Sequence, residues 1–107
     1  MDTVLELYRA AKIELDKDEF AEAAAKLTKA CAADSSSPMV WNALGYSLMR
    51  LQHYPDAMTA LNKAIALKPD YENAFHNRSV LKRLMGDEKG AKQDSDEAVR
   101  LHGVKRK

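Results

Sequence analysis

The side chains that could carry out chemistry in this sequence are few and scattered. Its three histidines form no HExxH zinc motif, and Cys31 has no second cysteine to pair with. Asp94 and Asp96 are two residues apart, which puts them on different faces of a helix. No G-x-S-x-G nucleophile or phosphate-binding glycine loop occurs. We therefore expect no enzyme activity, metal or cofactor, and we interpret Cys31 as a buried apolar residue and the two aspartates as solubilising charges.

The composition is that of a small, nearly neutral protein. The chain has 107 residues, of which 46% are hydrophobic and 31% charged, and its formal net charge is +1. These values predict one folded domain and disfavour a nucleic-acid partner. No apolar stretch approaches the roughly 18 residues of a membrane span, and the acidic N-terminus does not resemble a signal peptide. We expect a cytoplasmic location, for a whole protein or for one segment of a larger multidomain protein.

Helices must position any functional residue, and positions 41–69 carry their clearest pattern. Apolar and small residues fall on one face of each of two helices: Trp41, Leu44, Gly45 and Leu48, then Ala57, Leu61 and Ala64. Because Gly45 has no side chain, the second helix can approach the first closely at that point. Pro69 ends the second helix, since proline cannot continue it.

The same pattern recurs with a period of 34 residues, which aligns Leu7, Trp41 and Phe75. The small-residue columns are Ala11, Gly45 and Ser79; Ala23, Ala57 and Ala91; and Ala30, Ala64 and Ala98. The recurrence predicts three helical hairpins with helices at about 2–16, 19–33, 38–51, 55–67, 71–85 and 88–101. The outer side of the last helix reads as polar, so we expect the stack to end there and residues 103–107 to be loose.

Residues that favour helix ends stand near the predicted boundaries. Side-chain caps are expected at Asp2 or Thr3, and at Asp18, Ser37 and Asp70. Gly86 is expected to close the fifth helix, with Asp87 capping the sixth.

These columns resemble the tetratricopeptide repeat, W-x2-L-G-x2-Y…A-x3-F…P, with Leu48 in place of the Tyr and Leu61 in place of the Phe. The resemblance implies an all-α, right-handed α-solenoid of six helices, with repeats at about 4–37, 38–71 and 72–103 in a single domain, 1–103, and a basic tail at 104–107. Charged residues replace the usual apolar ones at Glu14, Arg78 and Lys82. The first and third repeats are therefore degenerate, as terminal repeats with one face in water should be.

The resemblance also implies that the first helix of each hairpin lines a concave face. The candidate partner-binding residues are then Tyr8, Arg9, Lys12, Met39, Asn42, Tyr46, Met49, Arg50, Asn73, His76, Asn77, Val80 and Arg83. Basic side chains exceed acidic ones in and beside this set, so we expect a groove more basic than the whole chain. Tyrosine area, asparagine amides and adaptable methionines suit a protein or peptide partner. We predict a non-catalytic interaction module that binds a peptide or helix with an acidic residue and an apolar anchor.

Two other hypotheses concern the partner. Some co-chaperones of the family hold the C-terminal carboxylates of chaperones with Lys, Asn and Arg side chains. The corresponding positions here hold Tyr8, Lys12, Ala43, Asn73 and Asn77, none of which matches, so no chaperone carboxylate clamp is expected. The alternative is a self-associating scaffold, a homo-oligomer formed through apolar residues at the two ends of the stack: Leu81, Leu84 and Met85 at one end, and Val4, Leu5 and Leu15 at the other.

Overall fold

The computed structural model describes residues 3–105, which form six α-helices and, over that range, no strand. The helices are α1 (Val4–Asp16), α2 (Phe20–Ala33), α3 (Pro38–Arg50), α4 (Tyr54–Leu67), α5 (Glu72–Leu84) and α6 (Glu88–Lys105). The closest packing lies within the pairs α1–α2, α3–α4 and α5–α6, and each pair packs on the next through α2–α3 and α4–α5. The predicted all-α stack of hairpins is confirmed.

Side chains cap some helices where the sequence predicts and leave others bare. Thr3 forms a capping box with Glu6 at the start of α1. The Ser37 hydroxyl accepts a hydrogen bond from the Val40 amide at 3.4 Å, and an Asp87 carboxylate oxygen accepts one from the Gly90 amide at 2.9 Å. The predicted caps at Asp18 and Asp70 are wrong: α2 and α5 start from Glu19 and Tyr71, neither of which makes a side-chain cap bond. The alternative cap of α1, Asp2, lies outside the described residues.

The wrong prediction at Asp18 has a physical reason in the hairpin turns. Asp18, Gln52 and Gly86 lie 34 residues apart, and their φ angles are 57°, 65° and 88°. In each turn the amide after this residue donates to a carbonyl in the last turn of the first helix, as Glu19 N does to Glu14 O at 2.8 Å. Asp18 therefore closes α1 in the left-handed conformation, and its side chain does not cap α2.

The aligned columns form the core between the helices. Leu7 is buried, whereas Trp41 and Phe75 are half-buried. A Cβ atom at Gly45 would lie 2.7 Å from Cγ of Leu61, so the missing side chain is what lets α4 approach α3 this closely. The core falls into two adjoining clusters, one around Leu27 in the first hairpin and one around Leu61 and Leu81.

Charged residues in two of the columns pair inside their own hairpins. Glu14 bonds Lys26 at 2.7 Å in the first hairpin. In the third, Asp94 bonds Arg78 at 2.7 Å and Lys82 at 2.9 Å and is only 4% exposed. Burial acts to raise the pKa of Asp94, but hydrogen bonds and charges from the two cations outweigh burial and hold that pKa below its ordinary value. The prediction of Asp94 as a solubilising charge is wrong.

Cys31 is buried, as predicted, and burial raises the pKa of its thiol to about 11. Within residues 3–105, none of the helices combines the length and apolar character that crossing a membrane requires.

The C-terminal end differs from the prediction. Helix α6 continues to Lys105, so the expected loose segment is wrong for residues 103–105, and Arg106 and Lys107 lie outside the described residues. The outer side of α6 is also less polar than expected, since Val99 on it is 71% exposed.

Candidate functional site: a groove lined by the first helices

An open groove of about 370 Å³ lies on the face formed by α1, α3 and α5. Its wall consists of Tyr8, Lys12, Leu15, Asp16, Met39, Asn42, Ala43, Tyr46, Tyr71, Asn73, His76 and Asn77. All of these residues belong to the first helix of a hairpin, except Tyr71, which directly precedes α5. Such a groove brings side chains from all three hairpins onto one surface.

Hydrogen bonds between side chains fix part of the groove wall. The Asn77 side-chain nitrogen donates to the Asn42 side-chain oxygen at 3.0 Å, which joins α5 to α3. Burial raises the pKa of Tyr71, and a hydrogen bond with Asn42 opposes that effect without cancelling it. Because the two amides hold each other, a ligand would meet side-chain amides that are already oriented.

The wall is less basic than the sequence predicts. Its charged side chains are Lys12 and Asp16, which lie one helical turn apart on α1. Arg83 is not part of the wall and lies 3.5 Å from a carboxylate oxygen of Glu88 at the start of α6. The wall therefore holds one lysine and one carboxylate, and among the other predicted basic residues Arg50 contacts a wall residue, Tyr46.

Arg50 stands beside the groove and is held by two aromatic rings. Its guanidinium carbon lies 4.5 Å from the centre of the Phe20 ring and 5.9 Å from that of Tyr46. Its Nη1 donates to the Tyr46 hydroxyl at 3.0 Å, and the two rings meet edge to face at 6.2 Å. A guanidinium stacked in this way keeps further N–H groups for an anion while its orientation is restricted. Phe20 is a partner of Arg50 that the sequence analysis missed, because Phe20 belongs to a second helix.

The structure brings most of the predicted residues together and sets others apart. The groove wall includes Tyr8, Lys12, Met39, Asn42, Tyr46, Asn73, His76 and Asn77, and it does not include Arg9, Met49, Arg50, Val80 or Arg83. Met49 is 4% exposed in the core cluster of Leu61 and Leu81, so its prediction as a groove contact is wrong. Val80 is half-buried against the same cluster. Tyr71 was missed because it precedes the helical stripe from which the set was read.

The structure also locates the positions of the chaperone clamp and the side chains that could bind a metal ion. All five positions of the chaperone clamp lie in the groove wall, where they remain Tyr8, Lys12, Ala43, Asn73 and Asn77. The absence of the clamp stays a prediction. Among residues 3–105, no three histidine, cysteine or acidic side chains are grouped so that they could hold a metal ion.

The apolar end residues proposed for self-association are only partly available. Leu81 is fully buried, so its prediction as an end-surface residue is wrong. Val4 and Leu15 pack against the first core cluster. Leu5, Leu84 and Met85 are about half exposed.

Sequence comparisons place the chain among repeat proteins. Residues 38–71 match the tetratricopeptide repeat family model. Tetratricopeptide repeat protein 36 of Mus musculus is 47% identical over 51 residues, covering 45% of this chain and 27% of the relative. Protein FlbA of Caulobacter vibrioides is 28% identical over 90 residues, covering 84% and 15%. The chain thus spans about a quarter or less of the length of these curated relatives.

Solved structures share the fold over nearly the whole chain. A crystal structure of MamA superposes with a TM-score of 0.88 at 23% identity, covering 92% of this chain and 57% of MamA. The second TPR of Spaghetti (RPAP3), bound to the HSP90 peptide SRMEEVD, gives a TM-score of 0.88 at 21% identity and covers 94% of this chain and 93% of that domain. Likeness at this level of identity establishes the fold and leaves the ligand of this chain open.

Proposed function

Because this chain is a tetratricopeptide-repeat protein built of helical hairpins, we propose that it is a non-catalytic interaction module that binds a peptide segment of a partner protein in the groove of α1, α3 and α5. The observation that carries the proposal is the composition of the groove wall. Tyrosines and side-chain amides from all three hairpins converge on one open surface. Concave surfaces of this kind are what stacked repeats use for binding.

The side chains of the wall favour a particular kind of peptide. Tyr8 and Tyr46 offer flat area that orders at low entropy cost and suits an apolar anchor residue. Asn73 is exposed and can pair with both N–H and C=O groups of a peptide backbone. Lys12 in the wall and the stacked Arg50 beside it supply positive charge. We therefore propose a segment that combines an apolar anchor with an acidic residue.

A structural neighbour supports peptide binding in general, whereas the residues of this chain at the clamp positions argue against the same peptide motif. The RPAP3 domain was solved with an acidic peptide, SRMEEVD. Tyrosine and alanine stand at two of the positions where a carboxylate clamp would need cations or amides. The C-terminal carboxylates of SRMEEVD would then lack their usual partners, so we propose that this peptide binds weakly or not at all.

The proposal is tested by selecting peptides from a random 12-residue library on the immobilised protein and measuring their affinities by calorimetry. Lys12→Glu and Arg50→Glu are each expected to weaken an acidic selected peptide by about fivefold or more, since each reverses a charge next to the ligand. Lys63→Glu is the matched control, because Lys63 is exposed on α4, away from the groove wall. Its affinity should stay within about twofold of the wild type.

Three results would contradict the proposal. Equal losses in Lys12→Glu and Lys63→Glu would mean that only net charge matters. Tight binding of SRMEEVD would show that the clamp hypothesis was wrongly rejected. A concentration-dependent dimer in sedimentation, with no selected peptide, would favour the self-associating scaffold.

Fractionation of the source cell with an antibody would test the cytoplasmic location that we also propose.

A further inference from the structure

The two ends of the helical stack are finished differently. On the outer side of α1, Glu6, Arg9 and Ile13 are exposed. The residues 34 positions later, Val40, Ala43 and Ser47, are all buried. At Glu6 and Arg9 the first end therefore places charged side chains where an inner hairpin places apolar or small ones, as an outward-facing end should, and Ile13 is an exposed apolar residue among them.

The other end carries a groove of about 320 Å³ between α5 and α6. Its lining is Glu72, Asn73, His76, Ser95, Ala98, Val99 and His102. Shifting these residues back by 34 positions gives the α3–α4 surface on which α5 packs. The end groove is thus a repetition of an inner seat that a helix fills in the second hairpin.

The exposure of equivalent residues in the three repeats shows that no helix among residues 3–105 covers this seat. Cys31, Ile65 and Val99 share a column, and their exposure increases from 7% for Cys31, through an intermediate value for Ile65, to 71% for Val99. A further hairpin follows the first two among residues 3–105, whereas Val99 lies in the last hairpin of that range. The exposed Val99 side chain, which lines the groove, is the apolar part of the seat.

We infer that this end groove, Glu72 to His102, is a docking seat for one amphipathic helix of a partner protein, in the position that α5 occupies on α3 and α4. This surface adjoins the peptide groove, with which it shares Asn73 and His76, and docking of a helix on its α6 side goes beyond the function proposed above. The interface it would continue is the one between successive hairpins, already repeated within the fold.

The repeat position of Asn62 and Asp96, next to the seat, indicates which charge the docking helix should carry. In the fold, Arg78 on α5 donates to the Asn62 side-chain oxygen at 3.0 Å. The residue 34 positions after Asn62 is Asp96, whose side chain is 66% exposed in a pair with Lys92 one turn away. Exposed pairs of this kind are weak, so Asp96 can exchange its partner. The docking helix should carry a basic residue at the position of Arg78, four residues after a small one at the position of Ala74.

A second copy of this chain does not meet these requirements. Its free first helix would place Glu6 at the position of Ala74, which is fully buried. Ala10 would occupy the position of Arg78 and leave Asp96 without a cation. Burying a carboxylate on the apolar floor without a partner is unfavourable, so the occupant is a helix of different sequence.

The probe is a synthetic peptide with the sequence of residues 70–85, crosslinked between positions 76 and 83 to hold it helical, and added to the ¹⁵N-labelled protein. Amide shifts are expected at Ser95, Val99 and His102 and should saturate. Val99→Glu should weaken binding by about tenfold or more, because it puts a charge on the apolar part of the seat. Val104→Glu, the same change at an exposed residue outside the groove, should leave affinity within about twofold.

Asp96→Asn adds a second test that does not disturb the apolar surface. It should weaken this peptide by about threefold or more but leave a peptide with Gln at position 78 unaffected. Shifts confined to α3 and α4, or equal losses in Val99→Glu and Val104→Glu, would overturn the inference. A dimer of the free protein that Val99→Glu abolishes would also overturn it, because the occupant would then be a second copy.

Discussion

Replacing Gly45 with alanine tests the packing on which the stack of hairpins depends. A Cβ at this position would lie 2.7 Å from both Cγ and Cδ2 of Leu61 and 3.3 Å from the carbonyl oxygen of Ala57. Carbon atoms pack at about 3.5–4.0 Å, so the new methyl group requires a displacement of roughly 1 Å. Leu61 is fully buried, so neither its side chain nor the backbone of α4 can move into free space.

The expected cost follows from two opposing effects. Overpacking a filled core costs about 1–3 kcal/mol, and the upper half of that range fits a clash with a branched carbon next to helix backbone. Alanine in place of glycine inside a helix returns about 1 kcal/mol. Gly45→Ala should therefore lower the free energy of unfolding by about 1–2 kcal/mol.

Urea denaturation followed by far-UV circular dichroism measures this difference. With a slope of about 2 kcal/mol per molar urea, the midpoint should fall by roughly 0.5–1 M while the slope stays unchanged. Gly103→Ala is the matched control, because a Cβ there meets nothing within 4 Å. Its stability should not fall. A second control is the double variant Gly45→Ala/Leu61→Ala. Because Leu61→Ala removes the clashing side chain, Gly45→Ala should cost at least about 0.5 kcal/mol less in that background than in the wild type. Stability of Gly45→Ala at or above the wild type would refute the close approach of α3 and α4.

Two further predictions concern buried groups. Asp94→Asn should lower the free energy of unfolding by about 3–5 kcal/mol at pH 7, because it leaves Arg78 and Lys82 without their buried anion. The pKa of Asp94 is depressed in the folded state. Its contribution to the free energy of unfolding is therefore present above about pH 4 and is lost as the pH falls through the folded pKa. Below about pH 4, the urea midpoint should fall more steeply in the wild type than in Asp94→Asn. Native Cys31 should react with a thiol reagent at pH 8 about 100-fold more slowly than the unfolded chain, because its pKa is about 11; equal rates would contradict its burial.

The stack of hairpins was predictable because its determinants are local and periodic. The column of Ala11, Gly45 and Ser79 needs only the spacing of small residues, and a capping box such as Thr3 with Glu6 involves residues three positions apart. Such signals survive in a single sequence because each is fixed by backbone geometry rather than by distant partners.

The errors arose where the outcome depended on contacts between separate elements. Asp94 looked like a surface charge until the hairpin brought Arg78 and Lys82 against it. Met49 lies on the stripe read as the groove surface, yet neighbouring helices cover it. Asp18 satisfied the residue preference of a helix cap, but the turn needed a left-handed residue at that position. None of these choices is encoded in one helix alone.

The central claim, that the groove of α1, α3 and α5 holds the partner peptide, is tested most directly by locating a library-selected peptide on the ¹⁵N-labelled protein. The largest amide and side-chain shifts, and contacts from a spin label on the peptide, are expected at Tyr8, Asn42, Tyr46 and Asn77. Shifts concentrated on the outer surfaces of α2 and α4, with those four residues unchanged, would contradict it.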